Sequence, residues 1–194
     1  MVKRIDTSLI ERIRQASVEI ISEKGITGSS VASIAKRAQV SAGYLYRHYP
    51  SKEDLVNDLL NDSLHTIAEK IDELIQQNDR IENIVEGIIG FILESANTNP
   101  HRIKFVIMLL NDFSIPNKPS VREQIIRIGE TLIEKGRESG SIRNEITVED
   151  FYIALVGIPL QYLATRFRFD FGPHDCNLDA ETRKITELSM CAIK

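Results

Sequence analysis

Apolar residues recur at helical spacing along nearly all of this 194-residue chain, and this periodicity limits the fold class most strongly. No run of alternating β-branched residues is long enough to indicate a sheet. The sequence therefore predicts an all-α protein of about nine helices. In the first helix, Leu9, Ile13, Ala16 and Ile20 share one face. Gly25 follows where a left-handed residue ends a helix, so we expect the first helix to stop there.

Two very short helices are expected next. Ser30 can cap the second helix, which reaches Ala38. Ser41 can cap the third helix only three residues later, so the turn between the two is tight. The third helix must end at Tyr49, because a following proline, here Pro50, disfavours the α conformation in the residue before it.

A long connector helix follows, with Ser51 and Asp54 forming a capping-box-like start. Its apolar stripe extends for about six turns and consists of Leu60, Leu64, Ile67, Ile71 and Leu74. After Asn78 the apolar clusters become larger. The segment Phe105–Leu110 is apolar all round, so we expect its helix to be surrounded by other helices.

Charge is distributed unevenly along the chain. Residues 1–52 contain nine Lys and Arg against four acids, a net charge of +5, and the remainder carries −9. A basic head on an acidic body suits an approach to a polyanion, although a solvated basic face could arise by chance. We predict a DNA-binding head over residues 1–52, with a helix-turn-helix at about 30–49, and a helical body over residues 53–194.

Several protein classes are disfavoured. Composition, with 42 % hydrophobic and 27 % charged residues, is that of ordinary globular domains. The longest uncharged stretch, Phe151–Thr165, falls short of the ~20 residues that cross a bilayer, so we expect a cytoplasmic protein with no membrane partner. Cys176 and Cys191 form neither a disulfide framework nor a zinc site. Motifs of phosphate loops, hydrolases and metalloproteases are missing, so we predict no enzyme, metal or cofactor.

The third helix has an unusual composition, in which three tyrosines, an arginine and a histidine accompany a single aliphatic core residue, Leu45. In a helix-turn-helix the second helix enters the DNA major groove. Tyr44 could present its ring or hydroxyl to bases, while Tyr46, His48 and Lys52 could bind phosphates. Alternatively, these aromatics only pack the helix against its neighbours. The candidate DNA-binding residues are Ser30, Ser41, Ala42, Gly43, Tyr44, Tyr46, Arg47, His48 and Lys52.

The segment from Gly25 to Leu55 resembles the DNA-binding module of TetR-family transcriptional regulators. The shared pattern consists of Ile34-Ala35, Val40-Ser41, Leu45-Tyr46, His48-Tyr49 and Ser51-Lys52-Glu53-Asp54-Leu55, in register without a gap. Two positions depart from the pattern. Gln39 replaces the common glycine at the end of the second helix, and Ala42-Gly43-Tyr44 replaces a Lys or Pro followed by a small polar residue. The base preference of the family therefore does not transfer.

The resemblance implies a homodimer in which the last two long helices of each subunit form the interface. Two late apolar faces would suit this role, or could instead be buried within one chain: Phe151, Leu155, Ile158 and Tyr162 on one, and Ile185, Leu188 and Ala192 on the other. An effector pocket in the body would accept an apolar or aromatic small molecule. Its candidate lining residues, most of which could equally be core, are Phe91, Phe105, Met108, Leu109, Phe113, Tyr152 and Tyr162.

The predicted function is that of a ligand-responsive regulator, a repressor that binds a palindromic double-stranded DNA operator as a dimer and is released by a small, largely apolar effector. An alternative is a helical dimer that binds small molecules or another protein and has lost operator binding. His65 and His101 could contact a ligand or act as titrating groups, or be simply partly exposed helical residues.

Overall fold

The computed structural model describes residues 7–112, 119–169 and 177–194, and all regular elements in these ranges are helices. The first seven are α1 (Thr7–Gly28), α2 (Val31–Ala38), α3 (Ala42–His48), α4 (Lys52–Gln77), α5 (Ile81–Thr98), α6 (Pro100–Asn111) and α7 (Pro119–Glu138). They are followed by α8 (Val148–Tyr152), a π-helical turn (Ile153–Gly157), α9 (Ile158–Phe169) and α10 (Leu178–Ile193). Helices α8 and α9 form one continuous rod. With α8 and α9 counted as one helix, the described ranges contain nine helices, which confirms the predicted all-α fold.

Glycine marks two helix ends, of which the sequence predicts the first. Gly25 has a φ of 77° and interrupts α1, after which one further turn reaches Gly28. Gly140 has a φ of 67° directly after α7. Residues other than glycine rarely adopt such positive φ angles, so the chain changes direction at both positions.

The first of two apolar cores, the N-terminal cluster, joins α1, α2, α3 and the start of α4. Its buried residues are Ile13, Ala16, Ile20, Ile21, Ile26, Ile34, Ala38, Leu45, Tyr49, Leu55, Val56, Leu59 and Phe105. Phe105 is the member that comes from α6, and it is fully buried. The short helices therefore pack against a helix from later in the chain as well as against one another.

The second core, the C-terminal cluster, lies among the end of α4 and helices α5 to α10. Helix α5 supplies its largest share: Ile81, Ile84, Val85, Ile88, Ile89, Ile92, Leu93 and Ala96 are all buried. Helix α10 packs along α5 and contributes Ile185, Met190 and Ile193. The central helix of this part of the protein is therefore α5.

The sequence prediction that α6 is surrounded by other helices is wrong. Ile103 and Phe105 are buried, but Val106 to Leu109 are only half-buried and Leu110 is 41 % exposed. Ile103 belongs to the C-terminal cluster and Phe105 to the N-terminal cluster. Helix α6 thus lies between the two cores and leaves one apolar side open.

The two late apolar faces are divided between core and surface. Phe151, Leu155 and Ile185 are buried within the subunit, as the second alternative for these faces expected. Leu188 is 52 % exposed, and Ile153, in the π-helical turn, is 54 % exposed. This turn ends two residues before Pro159, and a proline disrupts the regular α-helical hydrogen bonds to the preceding turn.

Candidate nucleic-acid interface

Serine hydroxyls close the N-termini of three successive helices at the positions that the sequence predicts. Ser30, Ser41 and Ser51 each accept a hydrogen bond of 3.0–3.1 Å from the backbone N–H three residues later. Each bond satisfies a backbone donor that the helix itself leaves unpaired. The start of α3 is therefore fixed by its own sequence.

The turn between α2 and α3 contains a strained residue. Gln39 has a φ of 56° and a ψ of 43°, the left-handed conformation for which glycine is preferred. Val40 donates its backbone N–H to the carbonyl oxygen of Ala35 at 3.0 Å. From α1, the Arg12 guanidinium donates to the carbonyl oxygens of Ala38 at 2.6 Å and Gln39 at 3.2 Å. The two hydrogen bonds from Arg12 thus stabilise the turn, in which a glycine at position 39 would carry less backbone strain.

Helix α3 has an inner and an outer face. Leu45 is fully buried in the N-terminal cluster, whereas the next residue, Tyr46, is 53 % exposed. The other exposed candidates are Ser30, at the start of α2, and Ser41, Ala42, Gly43 and Arg47 in or beside α3. At Gly43, no described atom lies within 4 Å of where a Cβ would stand. The N-terminal end of α3 is therefore open to a large partner.

Tyr44, Arg47 and His48 interact with one another along one edge of α3. The rings of Tyr44 and His48 lie 4.7 Å apart between centroids, and the Arg47 guanidinium lies 5.8 Å from the Tyr44 ring centroid. Tyr44 also packs against the N-terminal cluster and is half-buried. Part of the Tyr44 ring thus packs against neighbouring helices, as the alternative interpretation of these aromatics expected. The edge of α3 that carries Tyr44, Arg47 and His48 remains accessible.

Lys52 and Arg37 already have partners within the protein. The Lys52 ammonium donates to the carbonyl oxygens of Ile26 at 2.8 Å and Ser29 at 3.4 Å, and so caps the end of α1. Arg37 of α2 pairs with Glu19 at 2.8 Å and Glu23 at 3.3 Å of α1, and these bonds raise the pKa of Arg37. Arg37 therefore links α2 to α1, and Lys52 links the start of α4 to the end of α1. Spacing in the sequence could not reveal either contact.

The candidate pocket residues are not brought together. Phe105, Met108 and Leu109 pack in or against the N-terminal cluster, whereas Tyr162 packs on the C-terminal cluster and donates to Glu181. Phe91 and Tyr152 are half-buried, and burial raises the pKa of the Tyr152 phenol. Phe113 lies outside the described residues. An open cleft of about 590 Å³ between α7 and residues 145–148 has none of them in its lining.

Residues 13–59 match the family described as "Bacterial regulatory proteins, tetR family", which is the region that forms α2, α3 and their supports. These residues therefore form a DNA-binding domain of the TetR type. Members of this family are DNA-binding transcription factors rather than enzymes, so this protein is a helix-turn-helix regulator of transcription.

Two curated relatives are similar over most of the chain. The Fatty acid metabolism regulator protein of Bacillus subtilis (strain 168) is 26 % identical over 141 residues, 71 % of this chain and 72 % of that protein. The HTH-type transcriptional repressor DhaR of Mycobacterium sp. (strain GP1) is 25 % identical over 166 residues, 76 % of this chain and 78 % of that one. Both names describe regulators.

The fold is similar to that of solved TetR-family structures. The crystal structure of FadR from Bacillus subtilis in complex with stearoyl-CoA has a TM-score of 0.76 at 21 % identity, covering 95 % of this chain and 100 % of that one. In the described ranges, no helix of this protein combines the length and apolar character needed to span a bilayer. The same ranges contain no group of His, Cys, Asp and Glu suited to hold a metal ion.

Proposed function

We propose that this TetR-family protein is a ligand-responsive repressor, with residues 1–52 as its DNA-binding head and residues 53–194 as its effector-binding and dimerisation body. The observation that supports this most directly is the open N-terminal end of α3, which projects beyond a capped and clamped turn. A repressor occupies its operator until an effector releases it. The Mycobacterium relative is named as a repressor, which supports this direction of control.

Within the head, the backbone at Ser41 to Gly43 and the Tyr44 side chain contact bases in the major groove. Tyr46, Arg47 and His48 bind phosphates beside it. Ser30, at the start of α2, and Lys52, at the start of α4, lie at the helix ends next to this surface and complete the phosphate contacts. Backbone N–H groups at a helix N-terminus favour such anions.

The operator is palindromic because the protein binds it as a homodimer through α9 and α10. Ile153, in the π-helical turn before α9, and Leu188, on α10, are large apolar side chains that are more than half exposed. Ala192 lies one helical turn from Leu188. Burying this surface against a second copy removes it from water. Two-fold symmetry then places two α3 helices about 34–36 Å apart, in successive major grooves.

Leu188→Glu tests this interface against a matched exposed leucine elsewhere, Leu110 on α6. Analytical ultracentrifugation at micromolar concentration should give a monomer for Leu188→Glu and a dimer for Leu110→Glu. Monomeric Leu188→Glu should keep its helical circular dichroism, because its side chain is exposed in the isolated subunit. A Leu188→Glu dimer as stable as the wild type would exclude this interface.

The effector is a small, largely apolar molecule held in the body. The fatty acid relatives, one of them solved with stearoyl-CoA, make a long-chain acyl thioester the first compound to test. Phe91, Tyr152 and Tyr162 remain our candidate lining residues in the C-terminal part of the body. Phe105, Met108 and Leu109 pack in or against the N-terminal cluster, so we do not place them in the lining of this site.

Release requires that the effector bind the DNA-incompetent arrangement more tightly than the DNA-bound one. Helix α4 links the two parts, since it begins at Lys52 beside α3 and reaches the C-terminal cluster at Ile71 and Leu74. A displacement of its far end would tilt the head and change the separation of the recognition helices. The coupling expected of such a switch is on the order of 1–3 kcal/mol.

The deciding experiment is a gel shift with DNA from upstream of this protein's own gene, beside random DNA of equal length. We expect tighter binding to the upstream DNA, and weakening by stearoyl-CoA but not by coenzyme A without an acyl chain. Equal affinity for both DNAs would contradict operator recognition. Binding to the upstream DNA that every added acyl thioester leaves unchanged would contradict this effector class.

A further inference from the structure

Asp62, in the middle of α4, binds arginines from two other helices. One carboxylate oxygen lies 3.3 Å from the Arg14 guanidinium of α1, and the other lies 3.5 Å from the Arg102 guanidinium of α6. Its side chain is 42 % exposed, so the bonds are made at the edge of the packed core. Asp62 therefore connects α1, α4 and α6 near the surface, whereas the two apolar clusters connect these helices through their buried faces.

On the α1 side, the polar contacts around Asp62 continue through Arg14 to the end of α3, the proposed recognition helix. Arg14 forms a two-pronged pair with Asp58, with N···O distances of 3.0 and 3.3 Å, and the hydrogen bond to Asp58 raises the pKa of Arg14. Tyr49, which ends α3, donates its hydroxyl to the same carboxylate at 2.7 Å. Burial, with this bond to Asp58, raises the pKa of Tyr49 to about 12. The end of α3 is thus fastened to α1 and α4 together.

On the other side the network reaches α6. Arg102 donates to the Thr66 hydroxyl at 2.9 Å, and that hydroxyl donates to the backbone carbonyl oxygen of Asp62 at 3.0 Å. Arg102 therefore binds α4 at two points one turn apart. Helix α6 itself packs into the N-terminal cluster through Phe105 and into the C-terminal cluster through Ile103.

We propose that Asp62 is a positioning residue that fixes the tilt of α4 between α1 and α6, and thereby the separation of the two recognition helices in the dimer. This inference rests on the proposed function, because it assumes a dimer on a two-part operator. Two bonds in different directions restrain a tilt that a single ion pair would allow. Without them, the apolar contacts of α4 still hold the helix in place but permit a range of tilts.

The geometry makes small tilts important. Asp62 lies ten residues from Lys52, so about 15 Å of helix separates it from the start of α4. A tilt of about 10° at Asp62 would move the start of α4, with the attached α3, by roughly 2–3 Å. One base pair of DNA is about 3.4 Å long, so this displacement is close to one step of half-site spacing.

The test compares Asp62→Asn with Asp72→Asn, a matched change on the same helix. Asp72 is exposed and makes no ion pair among the described residues. Half-sites are selected from random DNA with the wild type, and paired with spacers that change in single base-pair steps. We expect Asp62→Asn to reduce the preference for the best spacer over its neighbours by about threefold or more, while affinity for a single half-site stays unchanged. Asp72→Asn should retain the wild-type preference.

Two further variants separate positioning from simple stability. Asp62→Glu keeps the charge and should restore most of the spacing preference. Arg102→Met should reproduce part of the Asp62→Asn effect, and the double variant should show less than the sum of the two effects, since both changes weaken the pair of Asp62 with Arg102. Thermal melts of all variants are measured in parallel, so that a folding defect is recognised directly.

The proposal is overturned if Asp62→Asn lowers the melting temperature yet keeps the wild-type spacing preference. It is also overturned if Asp62→Asn reduces single half-site affinity as much as affinity for the paired sites. A wild type that selects no half-site at all, or that shows no preference among spacers, would contradict the proposed function itself. The two failures are therefore distinguishable.

Discussion

The N-terminal and C-terminal clusters are held in shape by different kinds of interaction. Around the N-terminal cluster, four cations reach from one helix to another: Arg12, Arg14, Arg37 and Lys52. The C-terminal cluster consists mainly of close-packed aliphatic side chains, with polar links at its margins, such as Arg166 of α9 to Glu181 of α10 and Arg143 to the carbonyl oxygen of Ala192. The orientation of the short helices thus depends on directional bonds, whereas that of the long helices depends on side-chain volume.

This difference suits a division of labour. A DNA-reading surface must keep its geometry within a fraction of an ångström, and charge-assisted hydrogen bonds impose direction as well as energy. An aliphatic core tolerates rearrangement when its total volume is conserved. A body built in this way can adjust around an effector, while the head moves as a unit.

The largest expected effect concerns Phe105, which lies in α6 but is buried in the N-terminal cluster. Phe105→Ala should lower the free energy of unfolding by about 3–5 kcal/mol, the usual cost of deleting a buried phenyl ring. Phe91→Ala, which truncates a half-buried ring on α5, should cost less than half as much. Urea denaturation measures both. Hydrogen exchange should show Phe105→Ala weakening the amides of α1 to α3 more than those of α10, and the reverse order would break the division between the two clusters.

A smaller effect concerns acid stability of the head. The hydrogen bond from Gln15, followed by that from Arg37, lowers the pKa of Glu19 below its ordinary value of 4.5. These contacts therefore stabilise the folded state above about pH 4.5, and their contribution is lost as the pH falls through the folded-state pKa. Glu19→Gln should lower the free energy of unfolding at pH 7 by at most about 1 kcal/mol, because the pair is partly exposed.

The same variant should also show a shallower decline of stability below pH 4.5. Arg37→Gln serves as its control, and should remove part of the same pH dependence. Chemical denaturation between pH 3 and pH 7 provides the curves. If the stability of Glu19→Gln falls below pH 4.5 as steeply as that of the wild type, the hydrogen bonds of Glu19 do not stabilise the head.

The smallest expected effect concerns the turn residue Gln39. Gln39→Gly should raise the free energy of unfolding by about 0.5 kcal/mol, because relief of the left-handed strain exceeds the entropy cost of glycine. Lys36→Gly, at an exposed helical position three residues earlier, should lower it by about 1 kcal/mol. If both glycines destabilise equally, the left-handed conformation of Gln39 carries no strain that glycine relieves.

The sequence could predict the head in more detail than the body, for physical reasons. Ser30, Ser41 and Ser51 act on backbone groups only three residues away, so their effect is visible in the local sequence. An aliphatic residue does not indicate which core it joins. The prediction for α6 was wrong because a segment that is apolar all round can lie between two cores as well as inside one. The links from Arg14 and Arg102 to Asp62 span 48 and 40 residues, and no local pattern indicates them.

The central claim, that the outer end of α3 reads DNA sequence, is tested most directly by Tyr44→Phe and Tyr46→Phe, which each remove one hydroxyl. For each protein, affinity is measured for DNA selected by the wild type and for random DNA at one fixed salt concentration. The account predicts that Tyr44→Phe lowers the ratio of selected to random affinity by about tenfold, whereas Tyr46→Phe weakens both alike and leaves the ratio unchanged. A Tyr44→Phe protein with the wild-type ratio would contradict a role for Tyr44 in base recognition.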